Sequence, residues 1–323
     1  MKINFKEKPK VWDKFVDGSP QRSIFVYTKF LNLLGVKYDL VTCLEDGKIV
    51  AGTIIIYKSG KPIDGVFPFT EYQGLQLADN SHLANHSRIS YELKVSEFFI
   101  RELADHYKSL CLCNSWRLCD LRAFQWHNYH QASSGIFDVG LRYGSILILK
   151  KYADFDDYLA TIRTLRKREI KKARKCLTIN ESKDEKVLIK LYRQTFARQG
   201  IKVNKEDIDL VRSICKGALK GGFGRLIYAK LNNLTIAANL FLFDNRTGYY
   251  LIGASDPKYR NFGGGTLLMI NAIENTFSRG LEEVDFVGAN SPTRGDYKLS
   301  FNGDLKPYFV ANYPKEKDNA SHI

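Results

Sequence analysis

Two stretches of this chain combine residue types and spacings able to do chemistry. The first is Arg260-Asn261-Phe262-Gly263-Gly264-Gly265, an R-x-x-G-x-G pattern. It follows a strand-like run, 249–255, and opens a helix-like run, 266–279. Glycines let a backbone turn tightly and approach a ligand closely. A helix N-terminus adds unpaired N–H groups and about half a positive charge. Together they suit a pyrophosphate and mark where an activated, phosphate-bearing donor would sit. The second stretch runs from Asp285-Phe286-Val287-Gly288-Ala289-Asn290 through Ser291-Pro292-Thr293-Arg294-Gly295-Asp296-Tyr297-Lys298 to Phe301 and Asn302. A strand over 283–287 there ends in a polar, charged turn, where α/β folds place ligands. Pro292 after Ser291 fits the first turn of a short helix carrying Tyr297, Lys298 and Phe301.

Elements must position these residues, and they read as two copies of one plan. In the first half a helix over 23–34 precedes a hairpin of strands 38–44 and 48–57 turned by Asp46-Gly47. A third strand, 64–69, and a helix, 92–108, follow. In the second half helices over 185–198 and 205–219 precede strands 225–230 and 234–243, turned by Asn232-Asn233. Strand 249–255 and helix 266–279 complete that unit. Ile49-Val50-Ala51-Gly52 and Thr235-Ile236-Ala237-Ala238 hold matching places. The expected fold class is therefore α/β (α+β), with domains at 1–148 and 149–323, each a mixed sheet flanked by helices. After its third strand the first half reads Glu71-Tyr72-Gln73-Gly74-Leu75-Gln76, without a glycine cluster. It is expected to supply packing and one wall of an acceptor pocket, with Glu71 facing it.

The chain has 323 residues, 44% of them hydrophobic, enough for two cores. Its net charge of +14 favours anionic partners: nucleotide cofactors, nucleotide sugars, RNA or anionic membrane. The excess is concentrated between Arg163 and Lys175, which hold eight basic residues against Glu169 alone. Asp154 or Asp156 can cap a helix leading into this run. The run reads as a solvated helix or as a phosphate-binding surface. Six scattered cysteines, without a C-x-x-C pair, read as mostly buried thiols rather than disulfides, and the spacing of Cys111, Cys113 and Cys119 with His127 and His130 fits no common zinc site. No metal is expected. The absence of a long apolar run and the polar start predict a cytoplasmic protein, and the positive charge admits peripheral contact with the inner face of an anionic membrane.

The strand, R-x-x-G-x-G and helix order resembles the acyl-CoA signature of the GNAT acyltransferases. The D-F-x-G-A-N-S-P-x-R-G-D-Y-K-x-x-F stretch is similar to that of the tandem-GNAT superfamily of Fem-type aminoacyl transferases. It lies nearest the shorter branch associated with envelope polysaccharide biosynthesis. Trp12 and Phe15, Arg22-Ser23-Ile24-Phe25, the Asp46-Gly47 hairpin, the basic run 166–175 and Gly253-Ala254-Ser255 extend the likeness along the chain. The resemblance implies two tandem GNAT-like domains, with Arg260, Gly263, Gly264 and Gly265 on the donor pyrophosphate and Lys298 stabilising charge during acyl transfer. It further implies an oxyanion site on the N–H groups of 251–253, with Gly253 marking the break between central strands. The general base is left among Asp285, Asp296 and Glu71, and Tyr297 would return a proton to the leaving thiolate. Asp285 also reads as a turn cap, and Asp296 as an exposed carboxylate beside Arg294. Arg294, Arg166 and Lys172 are assigned to acceptor phosphate. Members that use aminoacyl-tRNA carry a long coiled-coil arm, whereas 199–224 has room for one ordinary helix. This favours acyl-CoA, most simply acetyl-CoA, with a nucleotide- or lipid-linked amino sugar as acceptor. An aminoacyl-tRNA-dependent ligase acting on a lipid-linked peptidoglycan precursor is the competing reading. A non-catalytic module for an anionic carrier or membrane is the third.

Overall fold

A computed structural model of the chain describes residues 1–314; residues 315–323 of the second expected domain lie outside the described residues. The chain divides into two compact units. One comprises Met1–Leu31, Val36–Arg142 and the described residues from Pro307 onward; the other comprises Asn32–Gly35 and Tyr143–Lys306.

The first unit contains β1 (Lys2–Asn4), α1 (Pro9–Gly18), α2 (Thr28–Leu31), β2 (Tyr38–Glu45), β3 (Lys48–Lys58), β4 (Lys61–Pro62), β5 (Gln76–Leu77), α3 (Asn85–Tyr107), β6 (Leu110–Cys113), α4 (Arg122–Gln125) and the start of β7 (Asp138–Ile148). The β2–β3 hairpin turns where expected: Asp46 and Gly47 take φ of 50° and 77°, as a type I′ turn demands. Its sheet runs β1-β2-β3-β4, with β5 also paired to β3. The inner face of α3 (Val95, Phe99, Ile100, Leu103, Ala104, Tyr107) packs into a core with Val41, Ile55 and Leu112. Cys111 and Cys113 lie buried in β6, and all six cysteines are free thiols.

The second unit contains the end of β7, then α5 (Phe155–Thr161), α6 (Thr164–Cys176), β8 (Leu177–Glu181), α7 (Lys186–Ala197), α8 (Lys205–Lys220), β9 (Gly224–Leu231), β10 (Leu234–Phe243), β11 (Thr247–Ser255), α9 (Gly264–Ser278), β12 (Glu283–Gly288) and α10 (Pro292–Leu299). The chain leaves it in β13 (Asp304–Tyr313), whose pairing with β6 lies in the first unit. Strand order is β7-β12-β11-β10-β9-β8. All neighbours are antiparallel except β11 and β12, which are parallel. A parallel pair needs a crossover, and α9 supplies it. This helix is apolar on most of its surface, with Leu267, Leu268, Met269, Ile270, Ala272 and Ile273 buried. It packs with Ile236, Ala237 and Phe241 of β10 and with Ile170 and Ala173 of α6. At about 1.5–3 kcal/mol per large apolar side chain buried, α9 is the main anchor of this core.

Three expected elements differ from those observed. Residues 64–69 form no strand: Gly65 and Pro68 interrupt the run, Pro68 has no N–H to give a ladder, and Phe69 takes φ of 62°. The expected helix 23–34 is a 3₁₀ turn at Ile24–Val26 followed by the short α2. Helix α3 begins at Asn85 rather than at residue 92, because its first turns are largely exposed and leave no apolar period to read. The basic helix is as expected. Asp154 caps α5 by accepting from Asp157 N, and α6 is the second helix. Between α7 and β9 stands one helix of ordinary length, α8.

Candidate active site

The glycines at the start of α9 have three different reasons to be glycine. Gly263 takes φ of 74° and ends the 3₁₀ turn Pro257–Phe262, a left-handed conformation costly for side-chain-bearing residues. At Gly264 an added Cβ would lie 3.1 Å from Cβ of Ala237, so bare backbone lets α9 sit down on β10. At Gly265 the nearest neighbour to an added Cβ is the Tyr297 hydroxyl, 3.6 Å away. The first intrahelical bond here runs from Leu267 N to Gly263 O, so the N–H groups of Gly264, Gly265 and Thr266 precede the helical ladder. Arg260 is exposed on the turn just before them. Anion-binding backbone and an accessible guanidinium thus occur together, which fits a pyrophosphate.

Beside this loop the central strands part. The β11–β12 register runs Thr247↔Glu283, Gly248↔Val284 and Tyr249↔Asp285 and stops there, while β11 continues to Ser255 against β10 alone. From Tyr250 onward the β12-facing edge of β11 is therefore open, and residues 251–253 lie on it. The divergence has local causes on both strands. β11 carries a bulge opposite Leu240/Phe241. In β12, Val287 takes φ of 60°, unusual for a β-branched residue, and a register shift falls between Asp285 and Gly288. Buried Asp285 accepts from Val287 N at 2.6 Å and so braces the kink. That bond caps the turn at 285–287.

Tyr250 fills the start of the opening. Its ring lies 5.5 Å from that of Phe241. Its hydroxyl stands so close over Gly253 that a Cβ there would collide with it. Lys298 comes to the same place from α10: its Nζ donates to Gly288 O at 2.7 Å, at the end of β12, and lies 5.9 Å from the Tyr250 ring centroid. Burial raises the Tyr250 phenol well above its ordinary value. Tyr297, one residue before Lys298, is pushed up to about 12, chiefly by burial and against the pull of the Arg166 guanidinium. That guanidinium stacks 4.7 Å from the Tyr297 centroid. Both phenols are thus neutral donors at physiological pH.

Helix α6 braces the loop through residues of the basic run, two of which, Arg166 and Lys172, the sequence assigned to acceptor phosphate. Arg166 donates to Glu169 Oε2 at 2.6 Å and to Ser300 Oγ at 2.7 Å, and Thr266 Oγ1 donates to the same Glu169 oxygen at 2.7 Å. Lys172 Nζ donates to Asn261 O at 3.0 Å. Glu169 thereby ties α6 to the first turn of α9. Its signal was present in the sequence, as the one acid kept inside a basic run. Tyr250 had no such signal, because only the strand bulge brings it over Gly253.

The structure therefore brings together Gly253, Gly263, Gly264, Gly265, Tyr297, Lys298 and Asp285 around the open edge of β11, with Arg260 beside them. Arg166 and Lys172 are engaged with the loop and its neighbours. Asp296 is exposed and pairs with Arg163 at 2.9 Å, and Arg294 is exposed, with its charge near enough to Tyr250 to oppose the effect of burial on that phenol. Glu71 belongs to the first unit, where Tyr308 OH donates to it at 3.2 Å and the Cys113 thiol lies 3.9 Å away. Among the described residues no group of three or more His, Cys, Asp or Glu could hold a metal ion.

Comparison with known proteins bears on the fold. A family model described as an acetyltransferase (GNAT) domain matches residues 160–299. No curated protein matches the sequence. Among solved structures, that of FemX is similar over 96% of this chain and 97% of its own, with a TM-score of 0.67 and 14% identity. The structure of L-PGS from Bacillus licheniformis is similar over 99% and 96%, with a TM-score of 0.55 and 11% identity. A tandem GNAT protein from the clavulanic acid biosynthesis pathway covers 97% and 98%, with a TM-score of 0.50 and 9% identity. The chain has the tandem GNAT fold, and its second half is similar to the acetyltransferase (GNAT) domain family over residues 160–299.

Proposed function

We propose that this GNAT acyltransferase moves an acyl group, most simply acetyl, from acyl-CoA to the amine of a nucleotide- or lipid-linked amino sugar in envelope glycan assembly. The functional division is proposed between residues 148 and 149, and the protein is placed in the cytoplasm, peripheral at the inner face of the membrane. The observation that carries the reading is the open edge of β11 lying beside the glycine loop of α9. It offers backbone N–H groups for a developing oxyanion next to a cradle for a pyrophosphate.

In this reading Arg260, Gly263, Gly264 and Gly265 hold the donor, whose thioester supplies the activated carbonyl. The amine lone pair attacks that carbonyl and forms the C–N bond. The oxyanion is held by N–H groups of 251–253 and by the Lys298 ammonium. The C–S bond then breaks and the thiolate leaves. An ordinary thiol titrates near 8.5, so full proton transfer from Tyr297 at about 12 runs uphill by about 5 kcal/mol. Tyr297 therefore steadies the thiolate by a hydrogen bond, and the proton the amine sheds balances the charge. That proton leaves through Asp285 or Asp296, directly or through water, and Glu71 binds acceptor on the first unit. Arg294 meets acceptor phosphate. The hydrogen bonds of Arg166 and Lys172 support a positioning role for both at the donor loop, in place of acceptor binding.

The test is titration of the full chain with acetyl-CoA, longer acyl-CoAs and tRNA, read by intact-complex mass spectrometry. A stoichiometric acyl-CoA adduct is expected, lost in an Arg260→Ala/Gly263→Val/Gly265→Val variant; full CoA binding by that variant rejects the donor site. Lys298→Ala is expected to lower kcat by about 10²–10³ with little change in donor affinity. The exposed basic side of α6 favours one other reading, an aminoacyl-tRNA-dependent ligase. A tRNA adduct without a CoA adduct, weakening steeply with salt, would establish it instead.

A further inference from the structure

The positive charge of α6 is employed differently on two faces. On one, Lys172 donates to Asn261 O of the donor loop, and Arg166 pairs with Glu169, which accepts from Thr266 at the start of α9. On the other, Lys167, Lys171 and Arg174 follow one another at helical spacing and, with Lys175, border a groove of about 550 Å³ between α5 and α6. Leu159, Ala160 and Ile170 line it, and among the described residues that line it Asp156 is the one acid. Lys167 is held, donating from Nζ to Ala160 O at 2.5 Å. Lys171, Arg174 and Lys175 are exposed and make no hydrogen bond or ion pair with any described residue. Arg174 and Lys175 gain only the modest attraction of the α6 C-terminus, and crowding like charges on one helix face costs repulsion.

We propose that this groove docks the protein on an anionic phospholipid surface. A lipid phosphate would sit among Lys171, Arg174 and Lys175, with the upper part of an acyl chain against Leu159, Ala160 and Ile170. The chemistry selects lipid over nucleic acid. Among the described residues none that lines the groove is aromatic, so a base has nothing there on which to stack. The groove does have the apolar floor and basic rim of an interfacial helix. Long basic side chains cover apolar surface with their stems while their heads reach phosphate. The proposal deepens the reading of an enzyme at the inner face of the membrane, and it competes with a tRNA donor for the same face of α6.

The test is co-sedimentation of the full-length protein with vesicles of phosphatidylcholine alone and of phosphatidylcholine mixed with phosphatidylglycerol. Binding is expected only to the mixed vesicles. Each cation at an anionic surface is worth roughly fivefold in partitioning, so Lys171→Gln/Arg174→Gln/Lys175→Gln is expected to weaken binding about 100-fold. A matched variant, Lys183→Gln/Lys186→Gln/Lys190→Gln, removes three exposed cations outside the groove and is expected to bind nearly as the parent does. Equal loss in both variants overturns the site in favour of bulk charge. Absence of binding to mixed vesicles overturns it outright, and tRNA binding in its place reassigns the face to RNA. Acetyl-CoA titration of the same proteins separates the two proposals: the groove variant keeps its CoA adduct, and a parent that binds vesicles but not CoA fails only the donor reading.

Discussion

At the scale of single residues, the site rests on close approaches that leave no room for a side chain. Gly253 lies under the Tyr250 hydroxyl on the very edge where β11 loses its partner. Gly253→Ala must push Tyr250 off its contact with Phe241 or move the strand. Overpacking of this kind costs about 1–3 kcal/mol. The expected result in denaturant melts is a loss of that size, accompanied by weaker acyl-CoA binding. Adding Tyr250→Ala is expected to recover part of the binding by vacating the space. A Gly253→Ala protein with unchanged stability and donor affinity would show that Tyr250 swings freely and does not define the floor of the opening.

Among elements, the decisive contact is that of α6 with the N-terminus of α9. Glu169 receives both Arg166 and Thr266, and the Arg166 side chain is only 13% exposed. Removing the carboxylate leaves a largely buried guanidinium short of a partner, at a cost of about 1–3 kcal/mol. Glu169→Ala is therefore expected to destabilise the second unit by that amount and to loosen the donor loop, lowering acyl-CoA affinity. The coupling is checked with a double-mutant cycle. In an Arg166→Met background the effect of Glu169→Ala is expected to shrink by more than half, and strict additivity would mean the two do not act together.

Over the whole molecule, buried phenols set the alkaline limit. Tyr57 and Tyr91 in the first unit, and Tyr192 and Tyr297 in the second, are each raised to about 12, in every case chiefly by burial. A group held above its unfolded value keeps its proton longer in the folded state. Unfolding stability then falls as pH rises, because the unfolded chain has already released protons that the native one retains. The contribution is complete below about pH 10 and is lost as pH rises toward about 12. Melting followed by circular dichroism from neutral pH upward is expected to show a flat profile and then a steep decline in that interval. Ultraviolet titration of tyrosinate should track it in both units. A decline complete below pH 9 would mean other groups control alkaline stability.

The sequence by itself determined the local parts. Asp46-Gly47 specified a hairpin, since both residues tolerate positive φ. The run 260–265 before an apolar helix specified a glycine-cornered N-terminus, and Ser291-Pro292 marked the start of α10. Such features depend on a few consecutive residues. Tertiary structure alone decided the rest. The parting of β11 and β12 arises from a bulge in one strand and the left-handed Val287 in the other, and neither follows from β-propensity. Tyr250 reaches the site only through that bulge. The basic run read as one surface, yet helix packing divided it: Arg166 and Lys172 face the donor loop because Ile170 and Ala173, on adjoining positions, are drawn into the core with α9. Lys171, Arg174 and Lys175 are left around the α5–α6 groove. Charge says that a helix will attract anions, and only the burial of its apolar stripe decides which of its cations are free to do so.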